Sequence, residues 1–339
     1  MARRGSTQRG QARRTRIAEL AGPDSHPVGA ANFANPPWPG QALSVAGVDT
    51  FVRKTPTDNP AAEPALYLHG LGGSSTNFTE LAELLAPWFD GHALDLPGFG
   101  QSGPALHADY SIAAHARVVI RYLEQSDRGP VHLIGNSMGG AISIRVAATR
   151  PDLVRTLTLI SPAVPDLRPR GGGDVFLPVL MLPGVGSWLL GKLDRGAPER
   201  RAKAVVNLCF AHPERVPANR LAESAADVLA RRGMPWAHDA MISSLRGLVG
   251  TYLTPRTKSP WQSMATINAP TLVIWGELDR LVDVSNAPRV AETIPDATLL
   301  VLPDVGHVAQ LEDPTVTARA VLALRERAIA ARSRTDMGV

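Results

Sequence analysis

The sequence predicts an α/β fold, a mostly parallel sheet with flanking helices and a helical insertion. Three observations predict it. From Pro64 onward, short apolar runs alternate with amphipathic segments, as in "ALYLHG" followed by "NFTELAELLAPW". Strands joined through helices need crossover connections, which leave neighbouring strands parallel. The alternation stops near Pro165 and resumes at "PTLVIWG", so residues 165–262 interrupt the sheet with no convincing strand.

The elements follow in order. At 339 residues, 44% of them hydrophobic and 19% charged, the chain has material for a sizeable core. Residues 1–40 read as a basic, disordered tail and lead-in. Its start, "MARRGSTQRGQARRTR", carries six arginines and no acid, and a solvated arm is the reading preferred over a nucleic-acid or membrane arm. "ALSVAGVDTFVRK" reads as two short strands around a Gly-Val-Asp turn. "ALYLHG" is a strand, and "NFTELAELLAPW" a helix with Phe78, Leu81, Leu84 and Leu85 on one face and Thr76 or Asn77 as its cap. "GHALDLPGFG" is a strand entering a glycine-rich turn, and "SIAAHARVVIRYLEQ" a helix capped by Ser111. "VHLI" is the next strand, "GGAISIRVAATR" a helix stopped by Pro151, and "VRTLTLIS" another strand. After the insertion come strand "PTLVIWG", helix "VSNAPRVAETI", strand "ATLLVLP" and a final helix from Pro314 to about Ala331. The core domain is therefore 41–164 plus 263–332, and residues 333–339 are a C-terminal tail.

Several function classes are excluded. The single cysteine, Cys209, forms no intrachain disulfide and, in "VVNLCFAH", reads as an inert buried thiol. No run of 18 clean apolar residues offers to span a bilayer. The nearest, Val175 to Gly191, contains two prolines and three glycines. No apolar run follows Arg3 and Arg4, so they do not open a secretory signal. A cytoplasmic location is expected, with peripheral membrane contact at most and no nucleic-acid partner. "GGG" at Gly171 to Gly173 lacks the strand–turn–helix context of a phosphate loop. No His/Cys/carboxylate cluster has ligand spacing, so neither a metal nor an organic cofactor is expected.

The chemistry concentrates in "LIGNSMG", Leu133 to Gly139. A serine between a β-branched strand and a helix rich in small residues is held exposed at the sheet's carboxyl edge, facing helix N–H groups. The turn is so tight that Gly135 and Gly139, two residues either side of Ser137, must lack side chains. This is the nucleophile elbow. A serine hydroxyl needs a base. Of nine histidines, His307 in "LPDVGHVAQLEDP" directly follows the last strand and reaches the same edge. His26, His92, His107, His115, His132, His212 and His238 lack such a position. The base needs an orienting carboxylate. Asp279, in "TLVIWGELDRLVD", is the first choice, with Asp283 its rival and Glu277 a weaker one. An oxyanion needs donors, and the N–H groups of Leu71, in "LHGLGG", and of Met138 are the expected pair. His69 reads as loop-shaping, and Asp95, Gly98, Gly100 and Ser102 as scaffold.

Over roughly residues 42–332 the chain resembles the α/β-hydrolase family, on the motifs "HGLGG", "DLPGFGQS", "GNSMGG", "WGELDRLV" and "DVGHVAQLEDP". The resemblance implies a serine nucleophile and a cap domain where residues 165–262 lie. It excludes the epoxide-hydrolase and haloalkane-dehalogenase branches, which carry aspartate at the position of Ser137. The expected activity is acyl-enzyme hydrolysis of a carboxylic ester or thioester with an apolar acyl or alkyl group, as in esterases and lipases. Apolar stretches "VFLPVLMLPGVGSWLLGKL" and "MISSLRGLVGTYL" would line the entrance. "GNSMGG" is also similar to carbon–carbon bond hydrolases of aromatic ring-fission products. Those usually have a Ser-Gly-Pro-Gly oxyanion loop and a tryptophan after the histidine, where this chain has "HGLGGSS" and Val308. From another class comes a non-catalytic binding module on the same fold.

Overall fold

The computed structural model describes residues 28–165, 191, 196–253 and 259–336. The arginine-rich start and most of the Val175–Gly191 stretch lie outside the described residues, as does the Gly171–Gly173 run. Among the described residues, eight strands form one sheet: β1 (Gly40–Val45), β2 (Val48–Lys54), β3 (Glu63–Leu68), β4 (Phe89–Leu94), β5 (Val131–Asn136), β6 (Val154–Ile160), β7 (Thr271–Gly276) and β8 (Ala297–Leu302). Their order is β1-β2-β4-β3-β5-β6-β7-β8. β2 runs antiparallel to β1 and β4, and every other neighbouring pair is parallel.

The helices are α1 (Thr79–Leu85), α2 (Ile112–Ser126), α3 (Met138–Thr149), α4 (Pro198–Cys209), α5 (Ala218–Arg232), α6 (Ala237–Gly250), α7 (Pro260–Ala265), α8 (Ala287–Thr293), α9 (Ala309–Glu312) and α10 (Pro314–Asp336). Between β6 and β7 the described residues hold helices and no strand. No helix among them is long and apolar enough to cross a membrane.

The period-two pleat divides the core between the two faces of the sheet. Leu66 and Leu68 of β3 join Leu133, Met138, Ile142 and Trp275 on the face covered by α2, α3 and α8. Ala65 and Tyr67 join Phe78, Leu81, Leu85 and Ile134 on the face covered by α1 and α10. Both faces are buried, so the central strands read as unbroken apolar runs rather than alternating ones.

Three local readings differ from the structure. The β1–β2 turn is made by Ala46 and Gly47, both at positive φ (50° and 80°), and Val48 already belongs to β2. A left-handed pair is what a two-residue hairpin needs. The helix after β3 begins with a 3₁₀ turn at Ser75–Phe78 whose cap is Ser74. Asn77 Oδ1 accepts from Ser74 N at 3.2 Å, so Asn77 serves the turn from within it. The final helix runs past Ala331 to Asp336, and only residues 337–339 of the expected C-terminal tail lie outside the described residues. Ser111 caps α2 as read, its Oγ accepting from Ala114 N at 3.1 Å.

Topology positions the site. From β3 the chain moves outward to β4, then returns across to β5 on the other side of β3. The strand order reverses at the β3/β5 boundary, where open α/β sheets place their ligand crevice beyond the carboxyl ends. The loop starting at His69 and the turn at Ser137 leave these two adjacent strands side by side.

Candidate active site

β5 passes into α3 through one residue, Ser137, at φ 54° and ψ −115°. For a non-glycine residue this backbone costs on the order of 1–3 kcal/mol and persists only where surroundings hold it. Here Ser137 N donates to Ile160 O at 3.0 Å, and Ser137 O accepts from Ala141 N and Ala163 N at 3.1 and 2.9 Å. The two neighbouring glycines are steric necessities. A Cβ on Gly135 would lie 2.4 Å from Ser143 Oγ, and one on Gly139 would lie 2.1 Å from Leu68 O. The second contact brings the start of α3 against the end of β3.

The loop after β3 lies directly beside the serine, since a Cβ on Gly70 would sit 3.1 Å from Ser137 Cβ. His69, fully buried, shapes this loop. Its Nε2 accepts from Leu96 N at 3.0 Å, which leaves the ring proton on Nδ1, 2.7 Å from Gly70 O. Burial lowers the pKa of His69 and favours this neutral ring. Both nitrogens are occupied, so His69 positions backbone and has no free base. Asp95 is scaffold likewise, accepting from Ser75 N at 2.5 Å and Gln101 N at 2.8 Å. Among the described residues, neither Leu71 N–H nor Met138 N–H has a hydrogen-bond acceptor.

His307 and Asp279 meet. Asp279 Oδ2 lies 2.9 Å from His307 Nδ1, with the aspartate side chain fully buried and the histidine 4% exposed. A carboxylate accepts, so Nδ1 carries the proton and Nε2 is left with its lone pair. The other oxygen, Asp279 Oδ1, accepts from Leu281 N and Val282 N at 2.8 and 2.9 Å. Neither rival carboxylate takes this place. Asp283 accepts from Ser285 N at 2.8 Å and caps the next turn, and Glu277 is exposed.

The side chain of Asn136, the residue before Ser137, ties the elbow to the backbone of His307. Asn136 Nδ2 donates to His307 O at 3.1 Å and to Ile160 O at 3.1 Å. The serine–imidazole hydrogen bond itself is not formed among the described residues. Asn136 is a residue the sequence reading passed over, although it sits inside the elbow motif. Glu312 is a second. Its Oε1 accepts from Gly306 N at 2.8 Å and its Oε2 from Ala211 N at 2.7 Å, tying the histidine loop to the chain beyond α4. His307 N in turn donates to Cys209 O at 2.8 Å. Burial, reinforced by Asp279 and Glu312, pushes the Cys209 thiol up to about 12, so it stays protonated beside the site.

The remaining described histidines serve elsewhere. His92, His115 and His132 are buried, against Tyr122, Ser244 and Thr156 respectively. His212 lies 2.6 Å from Asp304.

A family model described as alpha/beta hydrolase fold matches residues 64–179 and 221–314, more than half of the chain. Three relatives show the family's range. The dihydrolipoyllysine-residue acetyltransferase component of the acetoin cleaving system of Cupriavidus necator is 30% identical over 80% of this chain and 66% of that protein. The chain thus spans just under two thirds of that relative's length. Lipase 3 of Moraxella sp. (strain TA144) is 29% identical over 84% of each. The 2-hydroxy-6-oxononadienedioate/2-hydroxy-6-oxononatrienedioate hydrolase of Cupriavidus pinatubonensis is 29% identical over 83% of this chain and 96% of its own. The matched residues lie on both sides of the insertion and include the elbow, the loop after β3 and the Asp279–His307 contact, while β1 and β2 precede the match. On that match and this sheet, the chain belongs to the α/β-hydrolase fold family.

Proposed function

We propose that this chain is a serine hydrolase that cleaves a carboxylic ester or thioester bearing an apolar acyl or alkyl group. Its relatives include lipases and carbon–carbon bond hydrolases. One observation carries the reading. His307 is bonded to buried Asp279 at 2.9 Å while Asn136, the residue before strained Ser137, holds the His307 carbonyl at 3.1 Å.

The chemistry follows from that arrangement. His307 Nε2 takes the proton of Ser137 as Oγ bonds to the acyl carbon, and the carbonyl π electrons move onto oxygen. The oxyanion lies against the N–H groups of Leu71 and Met138, the second at the first turn of α3. The imidazolium returns its proton to the leaving oxygen or sulfur as that bond breaks. Water then repeats the sequence on the acyl-enzyme and frees the acid. Asp279 keeps the imidazole in the required tautomer and stabilises its charge.

Within the stretch 165–262 read as a cap, we assign the described helices α4, α5 and α6 to the cap over this edge. Partly buried Leu71 and Met241, packed on the core beside the elbow, supply apolar surface that suits an acyl or alkyl chain.

The test is a graded panel of p-nitrophenyl esters with Ser137→Ala as comparison. Turnover should fall about 10³-fold or more in the variant, and a fluorophosphonate probe should label only the wild type. A Ser137→Ala enzyme that retains the wild-type rate would overturn the assignment. The carbon–carbon reading is favoured by the ring-fission relative matched over 96% of its length. Preferential turnover of a vinylogous diketone acid over every ester would select it. A wild type that resists the probe, where a control esterase reacts, would select the binding module.

A further inference from the structure

We infer that Arg231, on α5, is a positioning residue that sets the direction of the Leu71 N–H. The inference rests on the serine-hydrolase reading above and assigns a further residue to the same site.

Residues 70–73 form a turn closed by Gly73 N donating to Gly70 O at 3.1 Å. Gly72, at φ +75°, takes the left-handed place that such a turn reserves for glycine. The turn is gripped at both ends. Gly70 O also accepts from His69 Nδ1 at 2.7 Å, from the sheet side. From the other side, Arg231 Nη1 donates to Gly72 O at 2.7 Å. The peptide joining Gly72 to Gly73 therefore has its carbonyl fixed by the guanidinium and its N–H fixed by Gly70. Leu71 lies between the two grips, and its N–H is the donor left without an acceptor among the described residues.

α5 holds the loop a second time. Asp227, four residues before Arg231 and so on the same helical face, accepts from Ser74 Oγ at 3.3 Å. Met241 of α6 closes the remaining space, since a Cβ on Gly72 would come within 2.7 Å of its Cε. Burial depresses the pKa of the Arg231 guanidinium while Asp227 opposes the shift. A charge-assisted bond to a carbonyl in such surroundings is stronger than a neutral one. An oxyanion donor works only where it already points at the developing charge, so loosening this grip should cost turnover more than substrate affinity.

The experiment uses the full chain, with Arg231→Met and Arg231→Lys beside wild type. Two readouts are taken: ester kinetics, and affinity for an alkyl boronic acid whose serine adduct is tetrahedral and puts an oxygen where the oxyanion forms. Arg231→Met should lower kcat about 10- to 100-fold, below the full loss of an oxyanion donor. KM should stay within about twofold, and boronate affinity should fall in parallel with kcat. Arg231→Lys, which keeps a cationic donor, should recover much of both. Amide hydrogen exchange at residues 71–73 should quicken in Arg231→Met, a readout independent of activity. An Arg231→Met enzyme matching wild type in kcat and boronate affinity, or changed only in thermal midpoint, overturns the role of Arg231 while leaving the hydrolase reading intact. A wild type that neither turns over esters nor binds the boronate overturns the hydrolase reading, and the role of Arg231 with it.

Discussion

Gly139 carries a tighter constraint than any other residue of the elbow motif. Its missing Cβ is what lets the first turn of α3 rest on the last carbonyl of β3, 2.1 Å from where a methyl carbon would sit. Backbone cannot retreat there without moving β3 against β4 and β5, so Gly139→Ala should be severely destabilising, by about 3 kcal/mol or more. Gly250→Ala is the control. At the end of α6 a Cβ would meet nothing within 4 Å, and its effect should stay within about 1 kcal/mol. Urea midpoints of the two variants check this, and equal midpoints would refute it. The placement of Ser137, Asp279 and His307 was legible because they lie one, three and five residues past the ends of β5, β7 and β8, and the carboxyl edge gathers whatever follows parallel strands. Asn136 and Glu312 were not. Asn136 reaches a carbonyl 171 positions away, and no periodicity or spacing in a single sequence records a bond of that kind.

Elements were legible where their amphipathic period was long, and their mutual docking was not. α5 has the helical pattern expected of the insertion, but nothing in it announced which core helix it meets. The joint is Arg220. Its Nε donates to Glu80 Oε1 of α1 at 2.5 Å, and its other nitrogens reach Glu223 and Asn35 O, each at 2.7 Å. The Arg220 and Glu80 side chains are 14% and 1% exposed. Burial raises the pKa of Glu80 and Arg220 works against that rise. Removing the guanidinium strands a buried carboxyl, which costs more than the pair contributes. Arg220→Ala should therefore lose about 3 kcal/mol, and Arg220→Ala with Glu80→Gln should regain much of it. A double-mutant cycle by urea unfolding measures both values, and strictly additive losses would dismiss the pairing. The misread cap of the 3₁₀ turn that leads into α1 has a related cause. The Ser74 turn is fixed by Asp95 and Asp227 from elsewhere in the fold, so local capping preference alone chose the wrong residue.

Across the whole molecule, histidines record how much of the structure depends on excluding water. Burial pulls His92 and His115 down to about 3 and His132 to about 4, from an ordinary value near 6.5. The unfolded chain therefore binds protons at these sites that the folded chain refuses. Stability from their neutral forms is complete above pH 6.5 and is lost as pH falls from there toward 3 to 4. His115 has a further consequence, because it joins two parts of the fold. From α2 its Nε2 meets Ser244 Oγ of α6 at 3.2 Å, and its Nδ1 is buried without a partner among the described residues. Protonation would place a charge at that seam between the core and the inserted helices. Urea midpoints measured from pH 7.5 to 4.5 should decline, each histidine contributing up to about 1.4 kcal/mol per pH unit within its window. His115→Gln removes one titrating group and should flatten the decline by no more than that amount. A slope unchanged in His115→Gln would mean that His115 is protonated as easily in the folded chain as in the unfolded one, contrary to its burial.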